Sequence, residues 1–155
     1  MPLIPTLTLF PVYEQGEYST LLESVELSER QPFGSQDTTA KEPCFKFTFA
    51  ANTGKLLDGK PVPLELDGKP VKFYIQTGVG YGGARSTLTK TTNQMVGRPL
   101  DNEKEAPYFD YEKLVGHGFK LLITKEPNSQ GDMRNTVAGI TPITPIDVGA
   151  CLVSP

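Results

Sequence analysis

The sequence predicts a mainly β domain with one short helix, and three observations carry that reading. Glycine (15 residues) and proline (14) are scattered between short apolar runs rather than clustered, which suits many short strands joined by turns. Several runs alternate apolar and polar residues with a period of two, Cys44–Phe49 most clearly. Only one stretch, Ser86–Val96, carries helix signals at both ends. The chain of 155 residues is of single-domain length and can bury roughly 68–70% of its unfolded surface. Residues 1–155 are therefore read as one domain, with a core over about 16–143 and apolar extensions at both ends.

The elements follow in order. Tyr18–Leu27 is a first strand, with Leu21, Val25 and Leu27 assigned to one side. Gln31–Pro43 is polar and turn-rich, hence a loop. In the strand Cys44–Phe49 the period of two places Phe45, Phe47 and Phe49 on one face. Asn52–Pro70 is a long connection with two Asp-Gly pairs and a short hairpin at Val62–Leu66, closed by Asp67-Gly68. The third strand, Val71–Thr77, turns Val71, Phe73 and Ile75 one way and Lys72, Tyr74 and Gln76 the other. Four glycines then lead to the helix, with Ser86 as N-cap and Gly97 just past its end. Asp110 caps a one-turn helix over Tyr111–Val115. Phe119–Thr124 is a strand, Glu126–Arg134 a polar loop, and Thr136–Ile143 a last strand. No internal repeat and no dividing linker is expected. Three strands, a helix and two strands is the order of a five-stranded Greek-key barrel with its helix between strands three and four.

Charge and cysteine usage narrow the function classes. A net charge of −3 supplies no global basic field, so a polyanion would need a basic groove on an acidic body. Cys44 and Cys151 are read as buried free thiols of a reducing compartment. Met1–Val12 is apolar but carries three prolines and no positive charge, unlike a secretory signal. No window reaches the ~18 apolar residues of a membrane span. The cytoplasm is the expected location.

Several segments taken together resemble a known group. They are Gly16-Glu17-Tyr18, Phe45-Lys46-Phe47-Thr48-Phe49, Ser86-Thr87-Leu88-Thr89-Lys90, Gly97-Arg98-Pro99-Leu100, Phe109-Asp110 with Leu114-Val115-Gly116, and Val137–Ile143. This pattern is similar to phage- and prophage-encoded domains with an OB-like barrel. The resemblance implies an accessory single-stranded DNA-binding role in replication or recombination, in a bacterial or phage-infected cell. It runs over roughly Gly16–Ile143. Two features depart from it: the chain ends apolar rather than acidic, and its helix is rich in threonine.

In OB barrels strands two and three form the binding face. With the phenylalanines in the core, the other face presents Lys46, Thr48, Lys72, Tyr74 and Gln76. Ammonium groups suit phosphates, the ring suits a base, and the amide suits a base edge. Arg85 and Lys90 by the helix, Tyr81 in the glycine run, and Lys125 and Arg134 at the last loop are expected at the edges. The expected partner is single-stranded DNA, bound without catalysis, cofactor or metal. A protein-contact module is the rival, with a homo-oligomer formed through the apolar C-terminal segment Ile143–Val153. A third reading takes Gly78–Gly83 as a dinucleotide-binding G-x-G-x-x-G run with Asp101 as its ribose contact. His117, between two glycines, is read as a turn residue, and Asp101, Glu103, Glu105 and Asp110 as a solvated acidic loop.

Overall fold

The computed structural model describes residues 3, 12–30, 39–83, 86–127 and 131–153. Among them the chain forms β1 (Gly16–Arg30), β2 (Glu42–Leu57), β3 (Lys60–Pro63), β4 (Glu65–Leu66), β5 (Lys69–Pro70), β6 (Lys72–Thr77), α1 (Thr87–Val96), β7 (Gly118–Pro127) and β8 (Met133–Pro142). Every strand pairing is antiparallel. The main sheet has six strands in the order β3-β2-β1-β7-β8, with β6 bonded to the same outer edge of β2 as β3. Its ends, β6 and β8, are not bonded to each other, so the sheet does not close. In place of the expected five-stranded Greek-key barrel the described residues form a six-stranded antiparallel sheet that stays open. Along the chain α1 follows β6 and precedes β7.

The phenylalanine alternation does set the core. Phe47 and Phe49 are buried with Phe73, Phe119, Leu121 and Ile123, while Phe45 is half-buried against the ring of Tyr111. Leu88, Met95 and Val96 of α1 close one side of this core. The helix is punctuated as its sequence requires. The Ser86 hydroxyl accepts from the Thr89 N–H, and Gly97 ends the helix at φ 85°, where a side chain would be strained. Asp110 caps a 3-10 turn at Tyr111–Leu114 by accepting from the Glu112 N–H.

Three departures have local causes. In β1 the pairing shifts at Glu23, so Leu21 pairs with Ala50 and Val25 with Phe47. That extra residue inverts the alternation. Thr20 and Leu22 are therefore buried before it, and Leu21 and Val25 do not share a face. The connection after β2 forms two hairpins rather than one. Leu57–Val62 and Leu66–Val71 are the same six residues, LDGKPV, so an internal repeat exists after all. Both copies turn on Asp-Gly with positive φ at each residue (53° and 76°, then 54° and 77°), the backbone of a type I′ turn. Lastly, the C-terminal segment folds back on its own chain. Ile146, Val148 and Cys151 enter the core, and the Cys151 and Leu152 carbonyls accept from the Asp110 N–H and Lys113 Nζ. Ile143 and Val153 stay about half exposed, at 48% and 51%. Cys44 and Cys151 are both buried and unbridged, and burial raises the Cys151 thiol above its ordinary pKa. No helix among the described residues is long and apolar enough to cross a membrane.

Candidate nucleic-acid interface

The open seam between β6 and β8 is a groove of about 740 Å³. Lys69, Pro70, Lys72, Phe73 and Tyr74 line one wall and Met133, Arg134, Asn135 and Val137 the other. Through Tyr74, Arg134, Asn135 and Val137 it continues into a stretch of about 390 Å³ beside the helix, where Lys90, Thr91 and Gln94 join the lining. α1 stands beside the smaller stretch of this seam. The Ile140 N–H, on the free edge of β8, donates to Gln94 Oε1 at 2.8 Å instead of to another strand.

Charge along this groove departs from that of the whole molecule. Lys69, Lys72, Lys90 and Arg134 line it, and no lining residue is a carboxylate. The chain as a whole carries −3. Lys69, Lys90 and Arg134 have no carboxylate partner among the described residues. Lys72 has one, since its Nζ lies 3.0 Å from a carboxylate oxygen of Glu23, the bulge residue of β1. The hydrogen bond to Glu23 is the largest cause of the raised Lys72 pKa. Tyr74 is 55% exposed at the centre of the groove, and Lys46 Nζ sits 4.8 Å from the centre of its ring.

The residues picked from the sequence divide accordingly. On the sheet, Lys46 pairs with Gln76, Thr48 with Tyr74 and Ala50 with Lys72, which puts Lys46, Thr48, Lys72, Tyr74 and Gln76 on one face. Of these, Lys72 and Tyr74 reach the groove, and Lys90 and Arg134 join them from distant parts of the chain. Lys46 meets the groove only through the Tyr74 ring, and Gln76 lies beside Lys46 outside it. Lys125 is paired with Glu14 at 3.0 Å and lines neither stretch. The Tyr81 hydroxyl is occupied, donating to Asn93 Oδ1 and accepting from the Leu100 N–H, both at 2.7 Å. Arg85 lies outside the described residues. Sequence reasoning missed Lys69. The second Asp-Gly turn was the available signal, because a two-residue turn returns the chain at once toward β6.

The remaining candidates have structural partners. The glycine run leads into α1, but β6 and β7 are not neighbours and no described strands pair in parallel, so the unit of a dinucleotide fold is missing. The Ser86 hydroxyl also donates to the Gly80 carbonyl, and the Gly82 N–H donates to Thr89 Oγ1, tying the run to the helix start. The His117 backbone bonds Leu22 and Leu114 across the turn before β7. In the acidic loop Asp101 accepts from the Glu103 and Lys104 N–H groups, and both oxygens of Glu105 accept from Arg98 at 2.8 Å. That bidentate pair, with the Asp101 N–H, lowers the Glu105 carboxyl to about 2. Comparison with known proteins gives no relative, since no family model, no curated protein and no solved structure matches the chain.

Proposed function

We propose that this protein binds single-stranded DNA without catalysing a reaction, on an open OB-like barrel. The single observation that carries the proposal is the β6/β8 groove: four cations, a half-exposed tyrosine and no carboxylate on a chain of net negative charge. Cations along an apolar floor suit a flexible polyanion whose bases turn inward and whose phosphates stay at the rim. The strand order supports the barrel reading. With the two small hairpins counted as an insertion, β1, β2, β6, β7 and β8 follow the Greek-key order, left open between the third and fifth strands. An accessory role in phage replication or recombination, in the cytoplasm, is the setting that the sequence resemblance adds to this proposal. The rival, a protein contact through the C-terminal apolar segment, has less surface available because Ile146, Val148 and Cys151 are core residues.

Fluorescence anisotropy of a labelled ~30-nucleotide single strand tests the reading. Saturable binding is expected, weakening about 20- to 50-fold between roughly 50 and 200 mM salt for three to four neutralised phosphates. Lys90→Glu with Arg134→Glu should abolish it, whereas Lys104→Glu, outside the groove, should not. No binding at tens of micromolar protein in low salt would overturn the proposal.

A further inference from the structure

The two copies of LDGKPV hold one piece of chemistry in two settings. An aspartate followed by glycine rearranges readily, because no glycine side chain hinders approach of its nitrogen to the aspartyl carboxyl. The nitrogen attacks the carboxyl carbon, a C–N bond forms, and the carboxyl hydroxyl leaves with the amide proton as water. The product is a five-membered imide. Water then adds at the main-chain carbonyl carbon and breaks its bond to that nitrogen. The chain now runs through the side chain, the α-carboxyl is free, and the isoaspartyl residue has the composition of the aspartyl one. No oxidant and no co-reactant other than water takes part.

The folded backbone opposes the first step at both sites. Asp58 and Asp67 stand at φ 53° and 54°. A type I′ turn sets ψ of that residue near about +30°. The glycine nitrogen then lies on the far side of the Cα–C bond from the aspartyl side chain. Ring closure must wait for the turn to open, so its rate follows how often each turn opens.

The two turns are held unequally. Beyond the second, Glu65 pairs with Pro70, and the next residues out are already pinned. The Val71 N–H donates to the Leu64 carbonyl at 2.9 Å, and the Leu64 N–H and Val71 carbonyl both bond Ala51 of β2. Val71 and Ala51 are buried. Beyond the first turn, pairing reaches Leu56 with Pro61 and resumes only at Asn52 with Pro63. Thr53, Gly54 and Lys55 have no register partner on β3, and residues 53–60 are all exposed.

We propose that Asp58 is a site of spontaneous isoaspartate formation in the native protein, and that the fold shields Asp67 from the same reaction. The first turn can open without disturbing a buried residue. Opening the second also breaks the Val71–Leu64 bond, and one such hydrogen bond changes a population by about two- to tenfold. The shielded copy is the one that carries Lys69 into the β6/β8 groove.

The test uses the intact protein, held for weeks at neutral pH and physiological temperature. Trypsin does not cleave before proline, so Lys60-Pro61 and Lys69-Pro70 survive digestion and one peptide, residues 56–72, carries both aspartates. Electron-transfer fragmentation, which splits the isoaspartyl Cα–Cβ bond, reads each site separately. The same peptide aged free in solution supplies the rates without the fold. Relative to that peptide, Asp58 of the protein should convert about two- to tenfold faster than Asp67. Equal relative rates, a faster Asp67, or an Asp58 that stays intact while the free peptide converts would overturn the assignment. None of these outcomes bears on single-strand binding.

Discussion

Removing a carboxylate from β1 should improve binding. Glu23 sits at the bulge, and its carboxylate holds Lys72 at 3.0 Å with both side chains partly exposed, at 31% and 45%. A strand that uses Lys72 must first break this pair. An exposed pair contributes little, so its loss in Glu23→Gln should tighten single-strand binding by roughly 1.5- to 5-fold in low salt. The salt dependence is the sharper readout. With Lys69, Lys90 and Arg134 alone engaged, the log–log slope should be about −2.1, and freeing Lys72 should take it to about −2.8. Between roughly 50 and 200 mM salt the variant should then lose about 50-fold in affinity where the wild type loses about 20-fold. Anisotropy titrations at five or six salt concentrations resolve that difference. Weaker binding by Glu23→Gln, or an unchanged slope, would mean that Glu23 does not compete with the strand for Lys72 and has a purely structural role.

Two further outcomes follow from the geometry. Gln94→Leu leaves the nearly buried Ile140 N–H without its acceptor, which should cost about 2 kcal/mol and lower the melting temperature by roughly 4–8 °C. Gln94→Glu keeps an acceptor and should recover most of the loss in calorimetry, and equal losses in both variants would contradict the hydrogen-bond account. The Glu105 carboxyl is lowered from 4.5 to about 2 by Arg98, so its contribution is fully present above pH 4.5 and is lost only as pH falls toward 2. Carboxyl NMR should place its titration near 2, and a midpoint above 4 would show that the Arg98 pair does not persist in solution.

Much of the fold was legible in the sequence because local chemistry decides it. The Phe45–Phe49 alternation, the Ser86 and Gly97 helix ends, the Asp110 cap and the Asp67-Gly68 turn each follow from two to six neighbouring residues. What failed depended on partners far along the chain. The ends of β1, β7 and β8 extend past their apolar centres because a paired neighbour keeps polar residues such as Glu29 or Asn135 in strand geometry. The bulge at Glu23 separates Leu21 from the side it was assigned to share with Val25 and Leu27, and nothing in YSTLLESVEL announces it. The C-terminal segment read as free apolar surface because no local pattern shows that it folds back on Phe109 and Tyr108.

The candidate site divides along the same line. Lys72 and Tyr74 could be picked because strand alternation places them opposite the core. Lys90 and Arg134 reach the same groove only through tertiary structure, and Lys125, equally plausible from the sequence, is held away by Glu14. Tyr81 looked like a ligand residue, yet its hydroxyl is spent on Asn93 and Leu100. Exposure and charge alone could not separate these cases.

Single-strand binding in the seam is tested by amide chemical-shift mapping of the protein titrated with a single-stranded oligonucleotide of about 12 residues, a length within the range of single-strand-binding OB folds. The largest shifts are expected at residues 69–74, 90–94 and 133–137, on the two walls and the helix side of the seam. Shifts confined to the opposite face of the sheet, or absent at saturating oligonucleotide, would contradict binding in the seam.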